Sequence, residues 1–193
     1  MGILYAFEMM TLDGFFEGPD HDIRWHKVDA EFNAFSARQL AATAALLFGR
    51  ATYQLMAGYW PTATGDDPVI PYMNSLPKIV FSRTLESAEW KGTRLIRENA
   101  VEEVQRLKVE IRKDLAIFGS ANLLSALSQA GLVDEYRIMV NPVILGRGTP
   151  LFQGVERKID LKLISSNTYR SGNVLLCYRE SANANASRST DAG

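Results

Sequence analysis

The sequence predicts an α/β domain built on a mostly parallel sheet that finishes in an antiparallel strand pair. Three observations carry this reading. Short apolar runs alternate with segments of helical period along most of the chain. Near the C-terminus two strand-like runs follow one another with no helix between them. The chain has 193 residues, the length of one domain, and a chain of that size buries about 70% of its unfolded surface.

Residues 3–9 (ILYAFEM) read as a buried strand, and TLDGFFEGPD after them as a loop with turns at Gly14, Gly18 and Pro19. Phe32, Phe35, Leu40 and the neighbouring alanines suit a helix over 29–45. The apolar run at 45–49 (ALLFG) is a short strand, and RATYQLMAG starts another helix. Residues 61–77 make a polar connection. Strands are expected at 78–82 (KIVFS) and 93–97 (TRLIR). Asn99 is placed to cap a helix over 100–113, with Val101, Val104, Leu107 and Ile111 on one face.

Residues 115–118 (LAIF) form the next strand, and a helix follows at once. It carries Leu123, Leu124 and Leu127 on one side and stops at Gly131. Tyr136, Ile138 and Val140 alternate as a strand until Pro142 interrupts it. LKLISSNTY and NVLLCYRE are spaced as the closing antiparallel pair. The domain therefore covers 1–180. The tail over 181–193 has almost no apolar content and is expected to be disordered. Its Asn185-Ala186-Ser187 fits a glycosylation acceptor, which carries no meaning without a secretion signal.

Composition excludes several classes. A formal net charge of -1 gives no general attraction to nucleic acid or to an anionic membrane, so any anion site must be local. Cys177 is the only cysteine, which rules out an intrachain disulfide and a cysteine-based zinc site. It reads as a packed thiol in a strand. The first ten residues have no basic region and carry Glu8 inside an apolar run, unlike a signal peptide. The uncharged run at 39–49 is too short to span a bilayer. A cytoplasmic location is expected. His21 and His26 lie close to Asp20 and Asp22, but a mobile loop does not supply the converging ligands a metal needs.

Three corners at strand ends stand out: Gly49-Arg50-Ala51-Thr52, Ser82-Arg83-Thr84 and Gly119-Ser120-Ala121-Asn122. Ligands of parallel sheets bind outside the carboxyl ends of the strands. Gly119 permits close approach of a ligand or of another backbone. Ser120 is placed to cap the following helix, whose first N–H groups attract anions. Arg50 and Arg83 offer planar donor forks that suit phosphate. Each corner taken alone is equally a tight packing joint. Together they suit a dinucleotide, although neither a Rossmann glycine fingerprint nor a Walker A sequence is present.

TLDGFFEGP, LLFGRATYQ, KIVFSRTL and IFGSANLLSALSQAGLVDEYRIMVNPVILGRGTPLF resemble the dihydrofolate reductase superfamily. They are most similar to the reductase domain of the bifunctional riboflavin-biosynthesis deaminase-reductase. The resemblance runs over residues 1–180. It implies a three-layer α/β fold, a mixed central sheet with helices on both faces, and NADPH as hydride donor. By position, Gly49, Arg50 and Thr52 would face the cofactor phosphates, and Ser82 and Arg83 the adenosine ribose with its 2′-phosphate. Gly119, Ser120, Ala121, Asn122 and Leu123 would hold the pyrophosphate. Asp13 and Gly14 would lie in the loop over the nicotinamide, with Asp13 the catalytic candidate. On the substrate side Trp25 would stack on a planar ring, and Asp29 or Glu31 would bring an acid.

Two positions depart from the riboflavin reductases: Ile117 stands where a glutamate is common, and Met56 where an aspartate is. The zinc deaminase motifs are absent. The function implied is reduction of a small heterocyclic substrate, as by 5-amino-6-(5-phosphoribosylamino)uracil reductase. Dihydrofolate reduction is the enzymatic alternative, and a non-catalytic nucleotide-binding protein is the alternative from another class. The expected partner is a small-molecule substrate, with a homodimer left open.

Overall fold

The computed structural model describes residues 2–181. Most of the expected tail, including Asn185-Ala186-Ser187, lies outside the described residues. In chain order the elements are β1 (Leu4–Thr11), β2 (Phe15–Glu17), α1 (Ala30–Ala41), β3 (Thr43–Gly49), α2 (Arg50–Tyr59), α3 (Ile70–Ser75), β4 (Lys78–Phe81) and β5 (Thr93–Ile96). They continue with α4 (Ala100–Glu110), β6 (Asp114–Ile117), α5 (Ala121–Gln129), β7 (Glu135–Asn141), β8 (Thr149–Pro150), β9 (Leu161–Thr168) and β10 (Val174–Glu180).

Eight strands form one sheet in the order β5-β4-β3-β6-β1-β7-β10-β9. Every pairing from β5 to β7 is parallel. Only β10 runs against its neighbours, β7 and β9. The predicted mostly parallel sheet with a closing antiparallel pair is what the chain forms. Because helices cover both faces of the inner strands, β1, β3 and β6 are buried on both sides, whereas β9 at the sheet edge is exposed throughout. Leu4 and Ala6 of β1, Leu47 of β3 and Ile117 of β6 pack with Val104 and Leu107 of α4 and Leu124 and Leu127 of α5. Tyr5 and Phe7, Leu46 and Phe48, and Met139 face the opposite way, against Phe32 and Leu40 of α1, Tyr53 of α2 and Met73 of α3.

Element boundaries differ from expectation where tertiary pairing decides. The helix expected over 29–45 ends at Ala41, and Thr43 already opens β3. Pairing of β3 with β6 (Thr43 beside Asp114, Ala45 beside Leu115) outweighs the helix propensity of the alanines. The connection at 61–77 contains α3, anchored by burial of Val69 and Met73. The turn-rich loop after β1 contains β2, which pairs with β8. Asn99 takes a left-handed conformation, φ 53°, and its side chain makes no cap; α4 stops at Glu110, short of 113. α5 ends at Gln129 with Ala130 as its cap, and the expected stop, Gly131, follows in a left-handed conformation, φ 66°. There Leu132 N–H donates to the Leu127 carbonyl and Gly131 N–H to that of Ser128, a Schellman closure.

Candidate functional site

The three corners converge. A cavity of about 820 Å³ opens at the carboxyl ends of β3, β4, β5 and β6, where open parallel sheets place their ligands. Gly49, Arg50 and Thr52 line it from the first corner, Ser82 and Arg83 from the second, and Ser120, Ala121, Asn122 and Leu123 from the third. The first and third corners are joined directly, since the Gly49 N–H donates to the Gly119 carbonyl at 3.0 Å. The contact is close enough that a Cβ on Gly49 would stand 2.3 Å from Ser120 Oγ.

Gly119 does not itself line the cavity. Its φ is +80°, and a Cβ there would meet Thr52 Oγ1 at 2.6 Å and the Phe16 ring at 3.0 Å. The space in front of it is filled by the protein, so this glycine serves packing. Its neighbour Ser120 is extended and makes no side-chain cap, contrary to expectation. The first-turn N–H groups of α5 therefore lack a cap from that hydroxyl and carry the partial positive charge of a helix start.

Ser82 Oγ accepts from the amides of Thr84 and Leu85 at 3.2 and 2.9 Å and so shapes its own turn. Arg97, at the end of β5, was not singled out from the sequence, yet it too lines the cavity. Its guanidinium donates to the carbonyls of Leu85 and Glu86 at 2.8 and 2.9 Å, tying down the loop that carries Arg83. The strand expected over 93–97 includes it, but β5 ends at Ile96 and leaves Arg97 at the strand's carboxyl end.

The opposite rim is the β2–β8 flap. Glu17, buried except for 14% of its side chain, accepts from the Thr149 hydroxyl at 3.0 Å and contacts His21 Nδ1 at 2.8 Å. All three residues line the cavity. None was expected at the site, because the pairing of β2 with β8 joins segments far apart in sequence.

The other expected residues lie elsewhere. Asp13 accepts from the amides of Leu145 and Gly146, the shortest at 2.7 Å, and faces a loop, not the cavity. A hydrogen bond from the Thr11 hydroxyl, with those amides, holds its carboxyl below the usual range. It is an acceptor in this arrangement and offers no proton. Gly14 makes the adjoining turn at φ +90°. Trp25 donates to the Asp22 carbonyl at 3.1 Å and packs edge-on to His26. Burial pushes the His26 imidazole down to about 4, so it is neutral near pH 7. Asp29 caps α1 through the Phe32 amide at 2.8 Å. Glu31 accepts from the Arg170 amide at 2.9 Å. Neither acid reaches the cavity.

Ile117 is fully buried between β1 and β3, and the Met56 sulfur accepts from Trp60 Nε1 at 3.1 Å. Both departures from the riboflavin reductases are thus absorbed by packing. Among the described residues no cluster of metal-ligand side chains occurs, and no helix is long and apolar enough to cross a membrane.

One acid noted in the sequence was not assigned to the site. Glu8, 2% exposed in the central strand, accepts from the Gly119 N–H at 2.8 Å. Burial pushes its carboxyl well above the ordinary range. A lone charged residue in an otherwise apolar strand was the available signal.

Comparison with known proteins bears on the family and the fold. The chain is 35% identical over 172 residues to the uncharacterized protein YyaP of Bacillus subtilis (strain 168), covering 88% of this chain and 90% of that one. Its fold is similar to a diaminohydroxyphosphoribosylaminopyrimidine deaminase/5-amino-6-(5-phosphoribosylamino)uracil reductase from Thermotoga maritima. That match has a TM-score of 0.68 at 15% identity, over 93% of this chain and 57% of the other. Dihydrofolate reductase from Enterococcus faecalis complexed with NADP(H) is similar with a TM-score of 0.63 at 15% identity, over 93% and 96% of the two chains. The model of the RibD C-terminal domain matches residues 3–175. Over nearly the whole described structure, then, this chain belongs to the RibD C-terminal domain family.

Proposed function

We propose that the protein is an NADPH-dependent reductase that passes a hydride to a small heterocyclic substrate, in the manner of 5-amino-6-(5-phosphoribosylamino)uracil reductase. The observation that carries the reading is the convergence of all three corners on one cavity, with Arg50, Arg83 and Arg97 at its wall. NADPH fits this donor set. The first turn of α5 suits the pyrophosphate, and the arginine-bearing loops after β4 and β5 suit a 2′-phosphate. No lining carboxylate stands at the end of β4, where an NAD-selective site would place one against the ribose; the carboxylate on that wall, Glu98, follows Arg97 after β5.

When bound, the cofactor supplies the hydride from its nicotinamide. The chain positions phosphate groups with Arg50, Arg83 and the α5 amides, and orders the second loop through Arg97. The β2–β8 flap shields the rim, with Glu17 and Thr149 orienting His21. Hydride transfer needs the two reacting carbons held roughly 3–3.5 Å apart, and the proton can come from a side chain or from water.

A second reading has its own support. Asp13, Asp29 and Glu31, the acids expected near the chemistry, are all engaged away from the cavity. That favours a nucleotide-binding protein without turnover over dihydrofolate reductase activity. NADPH oxidation followed at 340 nm across pterin, deazaflavin and ribosylaminopyrimidine acceptors separates the readings. Turnover with a ribosylaminopyrimidine supports the reductase, and tight binding without turnover on every acceptor supports the alternative. Failure to bind NADPH removes both.

A further inference from the structure

Glu8 occupies the middle of β1, the strand between β6 and β7. Alternation puts it on the face of Ala6 and Met10, which pack in the core beneath α4 and α5. Its neighbour across the ladder in β7 is Ile138, and the nearest pairing with β6 sets Ala6 beside Ile117. Among the described residues no lysine, arginine or histidine bonds to it; burial raises its pKa and the Gly119 hydrogen bond opposes that rise. The charged groups that line the cavity above (Glu17, His21, Arg50, Arg83, Arg97 and Glu98) make no bond to it.

Gly119 is the knot between two corners. Its N–H goes to Glu8 and its carbonyl receives the Gly49 N–H. A buried carboxyl with one neutral donor and no bonded cation is biased toward its protonated form, because burial penalises the charge and a single N–H offsets only part of that penalty. We propose that Glu8, as an uncharged carboxylic acid, is the positioning residue of the anion-binding floor. It holds Gly119, and through Gly119 the Gly49 corner, in the register that phosphate groups require.

This rests on the NADPH reading above and adds a linkage to it. A charge on Glu8 would lie under the bound phosphates in a poorly screened interior. Ionisation of Glu8 and binding of NADPH therefore oppose one another by the same factor in each direction.

The test uses the full chain and two variants, Glu8→Gln and Glu8→Met. Glutamine keeps the oxygen that accepts from Gly119 and cannot ionise, whereas methionine has similar length and no acceptor. The first measurement is urea unfolding without ligand against pH. A carboxyl whose folded value is raised contributes stability that is complete below its unfolded value and is lost as pH climbs through the folded one. The unmodified protein should lose stability relative to Glu8→Gln as pH rises above the ordinary 4.5. Parallel curves for the two proteins overturn the proposal.

The second measurement is NADPH affinity by fluorescence titration, at the lowest and at the highest pH between which the unfolding difference changes. The unmodified protein should weaken at least about tenfold relative to Glu8→Gln between the two, a ratio worth ~1.4 kcal/mol. Glu8→Met should be weaker by about tenfold at both, with Glu8→Gln restoring the affinity at the higher pH. A ratio of the unmodified protein to Glu8→Gln that does not change with pH, or Glu8→Met binding as well as the unmodified protein at the lower pH, overturns the positioning role. If the unmodified protein binds no NADPH, the cofactor reading falls and the positioning role with it. The unfolding curves still report in that case whether Glu8 is neutral. Should Glu8→Met fail to fold, the comparison with Glu8→Gln decides alone.

Discussion

Gly119 is held from every side: by Glu8 at its amide, Gly49 at its carbonyl, and Thr52 and Phe16 where a side chain would go. Gly119→Val should therefore damage the folded state itself. Forcing a β-branched residue to a φ of +80° costs on the order of 1–3 kcal/mol before any clash. A chain of this size loses roughly 2–4 °C per kcal/mol, so differential scanning calorimetry without ligand should show a clear fall in midpoint. An unchanged midpoint would mean that Thr52 and Phe16 move aside. The arginines are better probes of the ligand, since Arg50 and Arg83 are exposed and bear little on folding. Charge-assisted bonds of this kind are worth about 1.5–3 kcal/mol in favourable settings, less where salt screens them. Replacing both by alanine should erase most of a preference for NADPH over NADH, read by calorimetric titration at low salt. Equal affinity of the unmodified protein for the two cofactors rules out the 2′-phosphate assignment.

At the scale of elements, the loops around the cavity are tied by polar contacts between distant segments. Asp13 binds the turn after β1 to residues 145 and 146, and Arg97 binds the end of β5 to the loop after β4. Asp13→Ala should release the 145–148 turn and raise its rate of cleavage in limited proteolysis, while the sheet stays resistant. The Asp13 carboxyl is held below its ordinary 3.8, so the restraint is present above that value and is lost as pH falls through the folded one. The two proteins should thus be cut at the same rate in strong acid and diverge toward neutral pH. A turn cleaved equally fast in both at neutral pH would leave Asp13 without this role. Such ties explain which parts of the site could be read from the sequence. The corners at Gly49, Ser82 and Ser120 were legible because each follows an apolar run in a local pattern. The β2–β8 flap and the destinations of Asp13, Asp29 and Glu31 depend on pairings that local pattern does not encode. A carboxylate at a loop or helix start looks the same whether it serves a substrate, a cap or a turn.

For the whole molecule, alternation of strand and helix was enough to predict a mostly parallel sheet with an antiparallel close. The order of strands was not readable, because parallel partners are joined by crossovers and need not be neighbours in sequence. That order has a consequence for how the protein is made. β1, which leaves the ribosome before the other strands of this sheet, belongs at its centre, but its two partners begin only at Asp114 and Glu135. More than half the chain must emerge before this apolar strand has an edge to join, and pairing across such separations is slow. Until then it is sticky and unprotected, an invitation to chaperones and to neighbouring nascent chains. A chain arrested at Glu110, after α4, should remain protease-sensitive on the ribosome. One extended past β10, with the ribosome tunnel cleared, should become resistant. Resistance already at Glu110 would show that the β3–β4–β5 half folds first and shelters β1 without its partners. Timing of synthesis, as much as the contacts of the finished sheet, then governs how much working protein a cell obtains from this sequence.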